Sequence, residues 1–276
     1  MFGLGAIPSM MVIYLRRKIP ESPRYTARIL GDIEAATQAV KDFKGTNVKA
    51  KSVVETRAIK KASLKDFIQN KRYMITLLGT AGSWFLMDYA YYGNTISTPM
   101  IMNSISPNMI LESKILSSFL IFTVFALPGY ILAILLMNKI GRKTIQILGF
   151  SVIRTVFLLT GLIPEIERDF TLFFALYGTS YFFTEFGPNT TTFVIPAELF
   201  PTQYRTTGHG FSSGIAKFGA FLGVLLFPIL NDSIGINRTF FVVSVFFAFL
   251  GIVTTLILPE SKGKSLENLT QEIAVH

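Results

Sequence analysis

Six long apolar segments set the strongest limit on what this chain can fold into. Each holds about 20 residues or more with few charges, and a helix of that length spans the hydrocarbon core of a bilayer. A helix also satisfies its own backbone hydrogen bonds inside lipid, so we predict an all-α membrane protein. We place the spans near Tyr73–Ser97, Ile115–Met137, Thr144–Ile163, Phe170–Pro196, Thr206–Leu230 and Thr239–Leu258.

The charged residues indicate which side of the membrane each loop faces. Between Arg16 and Arg72 the chain holds 15 Lys and Arg but six Asp and Glu. Further cations follow the second, fourth and sixth spans, whereas the opposite loops carry Glu112, Glu165, Glu167, Asp169 and Asp232. Cytoplasmic loops are rich in Lys and Arg, so we predict a multi-pass protein of the cell membrane with a cytoplasmic linker and C-terminus. Anionic lipid headgroups account for the basic segment, and we expect no nucleic-acid partner.

The remaining segments divide the chain further. The first apolar run is too short to cross a bilayer alone. Ser22 and Pro23 suit the N-cap and first turn of a helix running to about Lys44, and a short amphipathic helix, 63–68, leads into the membrane. We therefore predict that residues 1–15 are the end of a span whose start is missing, 16–72 a basic cytoplasmic linker with surface helices, 73–258 a six-helix transmembrane bundle, and 259–276 a cytoplasmic tail.

The composition excludes several kinds of chemistry. The chain has no Cys, and its two histidines are His209 and His276, so neither a zinc site nor a Ser-His-acid triad is expected. It also lacks a Gly-rich phosphate loop of the ATP-binding type. We therefore expect no enzymatic activity, no metal and no cofactor. We interpret His209, which is flanked by glycines, as a turn residue.

One acid lies deep in the first full span. An ionised Asp88 at membrane depth costs at least roughly 2.5–3.5 kcal/mol, so an acid there indicates a functional site. Trp84 and Tyr92 lie four residues before and after it, which places all three on one helix face. The alternatives are an interfacial aromatic belt for the two rings and a structural pair with a cation on another span for Asp88.

Later spans contain further polar residues. Gly187 and Pro188 interrupt the fourth span, and such breaks are tolerated where helices pack on protein or line a cavity. Asn189 offers an amide beside the break. Glu185 is a second acid there, for which a structural pair explains its presence as well as function does. Lys217 lies deep in the fifth span, where snorkelling to the surface would be strained.

Four motifs resemble those of the sugar-porter-like members of the major facilitator superfamily. They are Pro20-Glu21-Ser22-Pro23-Arg24, Gly141-Arg142-Lys143, Pro196-Ala197-Glu198-Leu199-Phe200-Pro201 with Arg205, and Pro259-Glu260-Ser261-Lys262-Gly263-Lys264-Ser265-Leu266. They occur in the order of that family and extend over nearly the whole chain. The resemblance implies the C-terminal six-helix half of such a transporter plus the end of span six, working by alternating access.

A narrower resemblance is to the phosphate:proton symporters of that superfamily. It rests on the spacing of Trp84, Asp88 and Tyr92, on the runs 186–193 and 204–210, and on Lys217. It implies that Trp84, Asp88, Tyr92 and Asn189 contact phosphate and that Lys217 lies on the path of anion release. A sugar or organic-anion porter of the same superfamily is one alternative, although the glutamines of sugar porters are absent from 73–94. A truncated, non-transporting remnant is the other.

The resemblance also implies a gate and a missing partner. We expect a cytoplasmic ion-pair set to hold the inward gate shut, the alternative being solvated loop charges that contribute little. Asn138 stands where the family usually has Asp, which weakens this cluster. The phosphate ligands and acids of the N-terminal half are absent, so we expect the chain to need an N-terminal six-helix half. The predicted gate residues are Glu21, Arg142, Glu198, Arg205 and Glu260.

Asp88 suits a site that loads a proton together with an anion. An ionised Asp88 repels phosphate, whereas a protonated one donates a hydrogen bond to a phosphate oxygen, and burial disfavours the charged form of a carboxyl group. Loading the proton then favours loading the anion, and the reverse. A carboxylate also accepts from a phosphate hydroxyl, which fully ionised sulfate lacks. We hypothesise that Asp88 is both proton carrier and phosphate ligand.

Overall fold

The structure, a computed structural model of the chain, describes residues 6–17, 19, 21–44, 63–163, 169–266 and 268–269. The chain divides into two compact units, Met1–Leu64 and Lys65–His276. Several predicted features lie outside the described residues. They are Lys18, Pro20, the helix break at 45–47, the loop acids Glu165 and Glu167, and the end of the tail with His276.

The described residues of the first unit form two helices with an irregular turn between them. Helix α1 is Ala6–Arg16, an apolar helix of 11 residues. Pro23–Tyr25 then begins a helical turn with Ser22 as its N-cap, and Thr26–Leu30 continues it as a π-helical turn. Helix α2 follows at Ile33–Lys44.

The predicted continuous helix from Ser22 to Lys44 is therefore wrong. Gly31 adopts a left-handed conformation with φ of 74° and ends the first piece, as glycine does at helix C-termini. Asp32 then starts the second piece, because its carboxylate accepts the backbone N–H of Ala35 at 2.9 Å.

The rest of the chain is a helical bundle that matches all six predicted spans to within a few residues at each end. In order, the helices are α3 Leu64–Gln69, α4 Lys71–Ile96, α5 Thr98–Ile105, α6 Leu111–Ile140, α7 Arg142–Leu162, α8 Phe170–Thr184, α9 Thr190–Leu199, α10 Arg205–Ile234 and α11 Ile236–Leu256. Four of the described helices, α6, α7, α10 and α11, are long and apolar enough to cross a membrane. Of the two other segments that match predicted spans, α4 contains Asp88, and Glu185 lies between α8 and α9.

The predicted break in the fourth span is confirmed. A π-helical turn, Glu185–Asn189, joins α8 to α9, and Gly187 within it has non-helical angles of φ −101° and ψ −114°. Proline lacks an N–H, so the turn leaves carbonyl groups without their usual partners. The hydroxyls of the three following threonines compensate by bonding back to carbonyls in or near the turn. Thr190, Thr191 and Thr192 donate to the carbonyls of Glu185, Gly187 and Pro188 at 2.6, 3.0 and 2.7 Å.

Helices α4 and α10 pack with their backbones in close contact because glycines line the crossing. A Cβ atom on Gly223 would overlap the carbonyl oxygen of Tyr89, and one on Gly93 would lie 3.0 Å from the carbonyl oxygen of Gly223. Small residues permit this approach between membrane helices. The contact brings Lys217, on α10, against the polar face of α4.

A cluster of aromatic rings packs together at one end of the bundle. Phe67 of α3 is fully buried, and its ring lies 5.8 Å from those of Tyr73 and Phe200 and 5.5 Å from that of Tyr204. Ring pairs at such distances add about 0.5–1.5 kcal/mol beyond the area they bury. Helix α3 is thereby packed against the start of α4 and the α9–α10 connection.

Candidate functional site

Lys217, Asp88 and Tyr92 form a charged cluster between α4 and α10. The Nζ atom of Lys217 donates to Oδ2 of Asp88 at 3.0 Å and to the hydroxyl of Tyr92 at 3.1 Å. The same ammonium lies 4.6 Å from the centroid of the Tyr92 ring. The Asp88 side chain is 2% exposed and that of Lys217 is 54% exposed. The pair thus has a buried anion and an accessible cation.

This arrangement provides the groups that an oxyanion needs. An ammonium group has three donors, and two of them are occupied by Asp88 and Tyr92. The third is left for a further acceptor. The Tyr92 hydroxyl can donate as well as accept, and Asp88 can donate once it is protonated. The sequence-based alternative for Asp88, a pair with a cation on another span, is compatible with a binding role, because the cation it pairs with is itself accessible.

Trp84 lies one helical turn from Asp88, and its ring packs against other aromatic side chains. Its indole is fully buried, 4.5 Å from the ring of Phe193 and 5.4 Å, edge to face, from that of His209. Its N–H interacts with the Asp88 carboxylate but makes no hydrogen bond of regular geometry among the described residues. The burial argues against an interfacial belt, and the N–H lies beside the charged cluster as a weakly held donor.

The prediction that His209 is a turn residue is wrong. It lies inside α10, with Nε2 3.3 Å from the carbonyl oxygen of Phe193. The neighbouring glycine suggested a turn but serves helix packing, because a Cβ on Gly208 would overlap the ring of Phe200.

Asn189 occupies the end of the π-helical turn and pairs with Glu185. Its Nδ2 donates to Oε2 of Glu185 at 2.7 Å. None of the hydrogen bonds among the described residues joins Asn189 to Asp88, Tyr92 or Lys217. The predicted phosphate ligands therefore fall into two separate groups, one on α4 and α10 and the other at the α8–α9 break.

Two of the predicted gate residues pair directly. Nε and Nη2 of Arg142 lie 3.2 and 2.9 Å from Oε1 of Glu198. The other oxygen of Glu198 accepts from the Ser261 hydroxyl at 2.6 Å. This links the start of α7, the end of α9 and the segment after α11. Both charged side chains are largely buried, at 14% and 20% exposure.

Glu260 acts on the backbone of α7. Its carboxylate accepts the N–H groups of Arg142 and Thr144 at 3.0 and 3.3 Å, and so caps the helix from a distant segment. Gly141 allows this approach, because its φ is 112° and a Cβ there would lie 2.5 Å from Oε2 of Glu260.

The other two predicted gate residues have different surroundings. Arg205 donates through Nε to the carbonyl of Phe200 at 3.4 Å. Glu21 is exposed and belongs to the first unit of the chain. A gate made of all five residues stays a prediction.

Sequence reasoning missed a buried polar bridge centred on Gln146. This fully buried side chain donates to the Thr255 hydroxyl at 2.8 Å, and its oxygen lies 2.7 Å from the Thr191 hydroxyl, whose single proton it shares with the Gly187 carbonyl. The bridge joins α7 to α11 and α9. The amide of Gln146 within a predicted span was the available signal, since an amide in lipid needs partners.

The family model described as "Sugar (and other) transporter" matches residues 1–273. Several curated relatives have names that refer to phosphate. A repressible high-affinity phosphate permease of Neurospora crassa is 33% identical, covering 98% of this chain and 52% of the permease. A putative inorganic phosphate transporter 1-13 of Oryza sativa subsp. japonica is 36% identical, covering 98% and 56%. Inorganic phosphate transporter PHO84 of Saccharomyces cerevisiae is 35% identical, covering 98% and 52%.

A solved structure has the same fold. The major facilitator superfamily proton:xylose symporter XylE matches with a TM-score of 0.76 and 19% identity, over 97% of this chain and 57% of the symporter. The chain thus spans about half the length of the relatives it matches. The long apolar helices, taken together with these likenesses, describe a multi-pass membrane protein of the major facilitator fold.

Proposed function

The chain belongs to the sugar (and other) transporter family of the major facilitator superfamily, and on that premise we propose that it is one half of a phosphate:proton symporter. An N-terminal six-helix half supplies the other side of the pathway, since transporters of this kind bind substrate between two repeats. The complete protein moves inorganic phosphate across the cell membrane by alternating access. The basic linker and the C-terminus lie on the cytoplasmic side.

The observation that carries this proposal is the Lys217–Asp88–Tyr92 cluster. An accessible ammonium beside a buried carboxyl group suits an anion better than a neutral sugar, whose hydroxyls need no counter-charge. The names of the phosphate relatives support the same substrate class. Trp84 offers a weakly held N–H on the same helix. Asn189 offers an amide from the α8–α9 break.

Coupling between proton and phosphate follows from competition for Lys217. While Asp88 is ionised it holds the ammonium at 3.0 Å. A proton on Asp88 cancels that attraction, so Lys217 becomes available to an anion, and the new O–H of Asp88 donates to a phosphate oxygen. Loss of the proton restores the ion pair and expels the anion. Each ligand thereby raises the affinity for the other.

The Arg142–Glu198–Ser261 contact is the part of the predicted gate that best suits a lock. Its side chains join the ends of three helical segments on the proposed cytoplasmic side. In alternating access such a lock forms in one state and breaks in the other. We propose that it holds this half in the conformation described here.

The single tryptophan provides a direct test. Trp84 fluorescence of the chain in liposomes is titrated with phosphate, sulfate and glucose. We expect a saturable response to phosphate that Lys217→Gln and Asp88→Asn each reduce at least tenfold in affinity, equivalent to about 1.4 kcal/mol. A response to glucose that survives Lys217→Gln would support a sugar porter. No response to any of the three would refute a phosphate site in this half.

A further inference from the structure

Glu185 is a second buried carboxyl group, and the mechanism above makes no use of it. It is 7% exposed and begins the π-helical turn between α8 and α9. Its side-chain partners are the amide of Asn189, at 2.7 Å, and the phenol of Tyr91. Both are neutral. The ion pairs among the described residues do not include Glu185.

The other groups around Glu185 are also uncharged. Tyr181 of α8 is the second phenol that interacts with it. Helices α6 and α7 contribute apolar side chains to this turn, among them Ala133 and Ile145. Among the described residues, the surroundings therefore supply hydrogen-bond donors but no cation.

Asp88 provides the comparison. Its carboxylate is compensated by the Lys217 ammonium at 3.0 Å, whereas Glu185 has neutral donors only. An ionised group away from water costs several kcal/mol without a counter-charge, and neutral hydrogen bonds offset part of that cost. Protonation of Glu185 removes the free-energy cost of a buried charge, whereas protonation of Asp88 breaks an ion pair. Of the two acids, Glu185 is the one whose site favours a bound proton while Asp88 remains paired.

A small, mainly apolar cavity lies beside Thr184, the residue that precedes this acid. It has a volume of about 20 Å³, enough for roughly one water molecule. Tyr91 lines the cavity and also interacts with Glu185, so the phenol connects the two. Asn94 lines the cavity too, and its buried Oδ1 has no hydrogen-bond partner in the part of the chain that the structure describes. These polar groups give a water molecule in the cavity hydrogen-bond partners, and Tyr91 connects it to Glu185.

We propose that Glu185 is a second proton-binding site of this half, occupied while Asp88 is paired with Lys217, and that it controls Asn189. A proton from water adds to the carboxylate and returns to water on release, and no other bond changes. The ionised form accepts strongly from the Asn189 amide, since charged acceptors form the stronger bonds. The protonated form holds that amide less tightly and so releases it toward another acceptor. This last link rests on the proposed phosphate site.

Infrared difference spectroscopy tests the proton site directly on the reconstituted chain. The carbonyl stretch of a protonated carboxylic acid is followed from acid to alkaline pH without phosphate. We compare wild type with Glu185→Gln, which is nearly isosteric, and with Asp88→Asn as the matched control. The proposal predicts a protonated-acid band at neutral pH that Glu185→Gln removes and Asp88→Asn retains. Every other pattern overturns it, and circular dichroism checks that each variant is folded.

A second measurement separates this proposal from the proposed function. Phosphate is added to the same samples while the Glu185 band and Trp84 fluorescence are recorded together. If Asn189 links the two sites, phosphate alters the band, and Asn189→Ala abolishes that effect. A phosphate response in fluorescence with an unchanged band would refute the link and leave the phosphate site standing. A Glu185 band without any phosphate response would refute the phosphate site and leave the proton site standing.

Discussion

Replacing Lys217 by Gln leaves the Asp88 carboxylate buried without its cation. Breaking a fully buried ion pair costs about 3–5 kcal/mol, whereas an exposed pair contributes about 0–1 kcal/mol. This pair lies between the two limits, because Asp88 is 2% exposed and Lys217 is 54% exposed. We therefore expect Lys217→Gln to lower the free energy of unfolding by about 2 kcal/mol, which is roughly a 30-fold change in the unfolding equilibrium.

A double-mutant cycle isolates the pair. Asp88→Asn removes the buried charge, so it should cost less than Lys217→Gln. The double variant places two amides within reach of each other and should regain about 1–2 kcal/mol relative to the sum of the single changes. The assay is reversible unfolding in mixed micelles, followed by far-ultraviolet circular dichroism. Lys139→Gln, at the exposed end of α6, controls for loss of a lysine charge.

The outcome that would refute this reasoning is additivity. If the two single changes add to within about 0.5 kcal/mol, the groups do not interact in the resting protein. An Asp88→Asn variant that is less stable than Lys217→Gln would also contradict it. Either result would remove the basis for competition between Asp88 and phosphate for Lys217.

Three further predictions use the same unfolding assay. Gly223→Ala should lower the free energy of unfolding by about 1–3 kcal/mol, because the added methyl overlaps the carbonyl of Tyr89. Gly214→Ala, where the added methyl meets nothing within 4 Å, should be neutral or stabilising. Equal effects of the two changes would contradict the close crossing of α4 and α10. Glu260→Ala should lower the free energy of unfolding by about 1 kcal/mol and speed amide hydrogen exchange in the first turn of α7, because it removes the cap of that helix. Unchanged exchange would show that the cap is dispensable. Gln146→Leu should lower the free energy of unfolding by about 0.6–1.7 kcal/mol. A gain in stability would show that the hydrogen bonds of Gln146 are not needed.

The sequence was sufficient to predict which residues belong to the candidate site. Helical spacing placed Trp84, Asp88 and Tyr92 on one face, and the depth of Asp88 and Lys217 marked both as unusual. The choice of cation for Asp88 could not be made from spacing, because Lys217 is 129 positions away in the chain. It depends on the glycines that let α10 approach α4.

Other contacts changed the roles expected of single residues. Glycine next to His209 predicted a turn, but Gly208 is needed to accommodate the ring of Phe200 within a helix. Glu260 was expected in an ion pair, but it caps the backbone of α7. Sequence reasoning cannot separate these cases, since glycine serves both turns and close contacts, and a carboxylate accepts equally well from a side chain and from backbone N–H groups.

Hydropathy by itself predicted the positions of the six helical segments, four of which are long and apolar enough to cross a membrane, because a backbone in lipid must bond within its own segment wherever about 20 apolar residues follow one another. The break at Gly187–Pro188 followed from local chemistry as well, since proline cannot donate. The partners of each buried polar group were decided by the tertiary structure alone. Asp88 obtained a cation and Glu185 did not, because contacts between helices depend on how side chains of distant segments fit together, which no local pattern encodes.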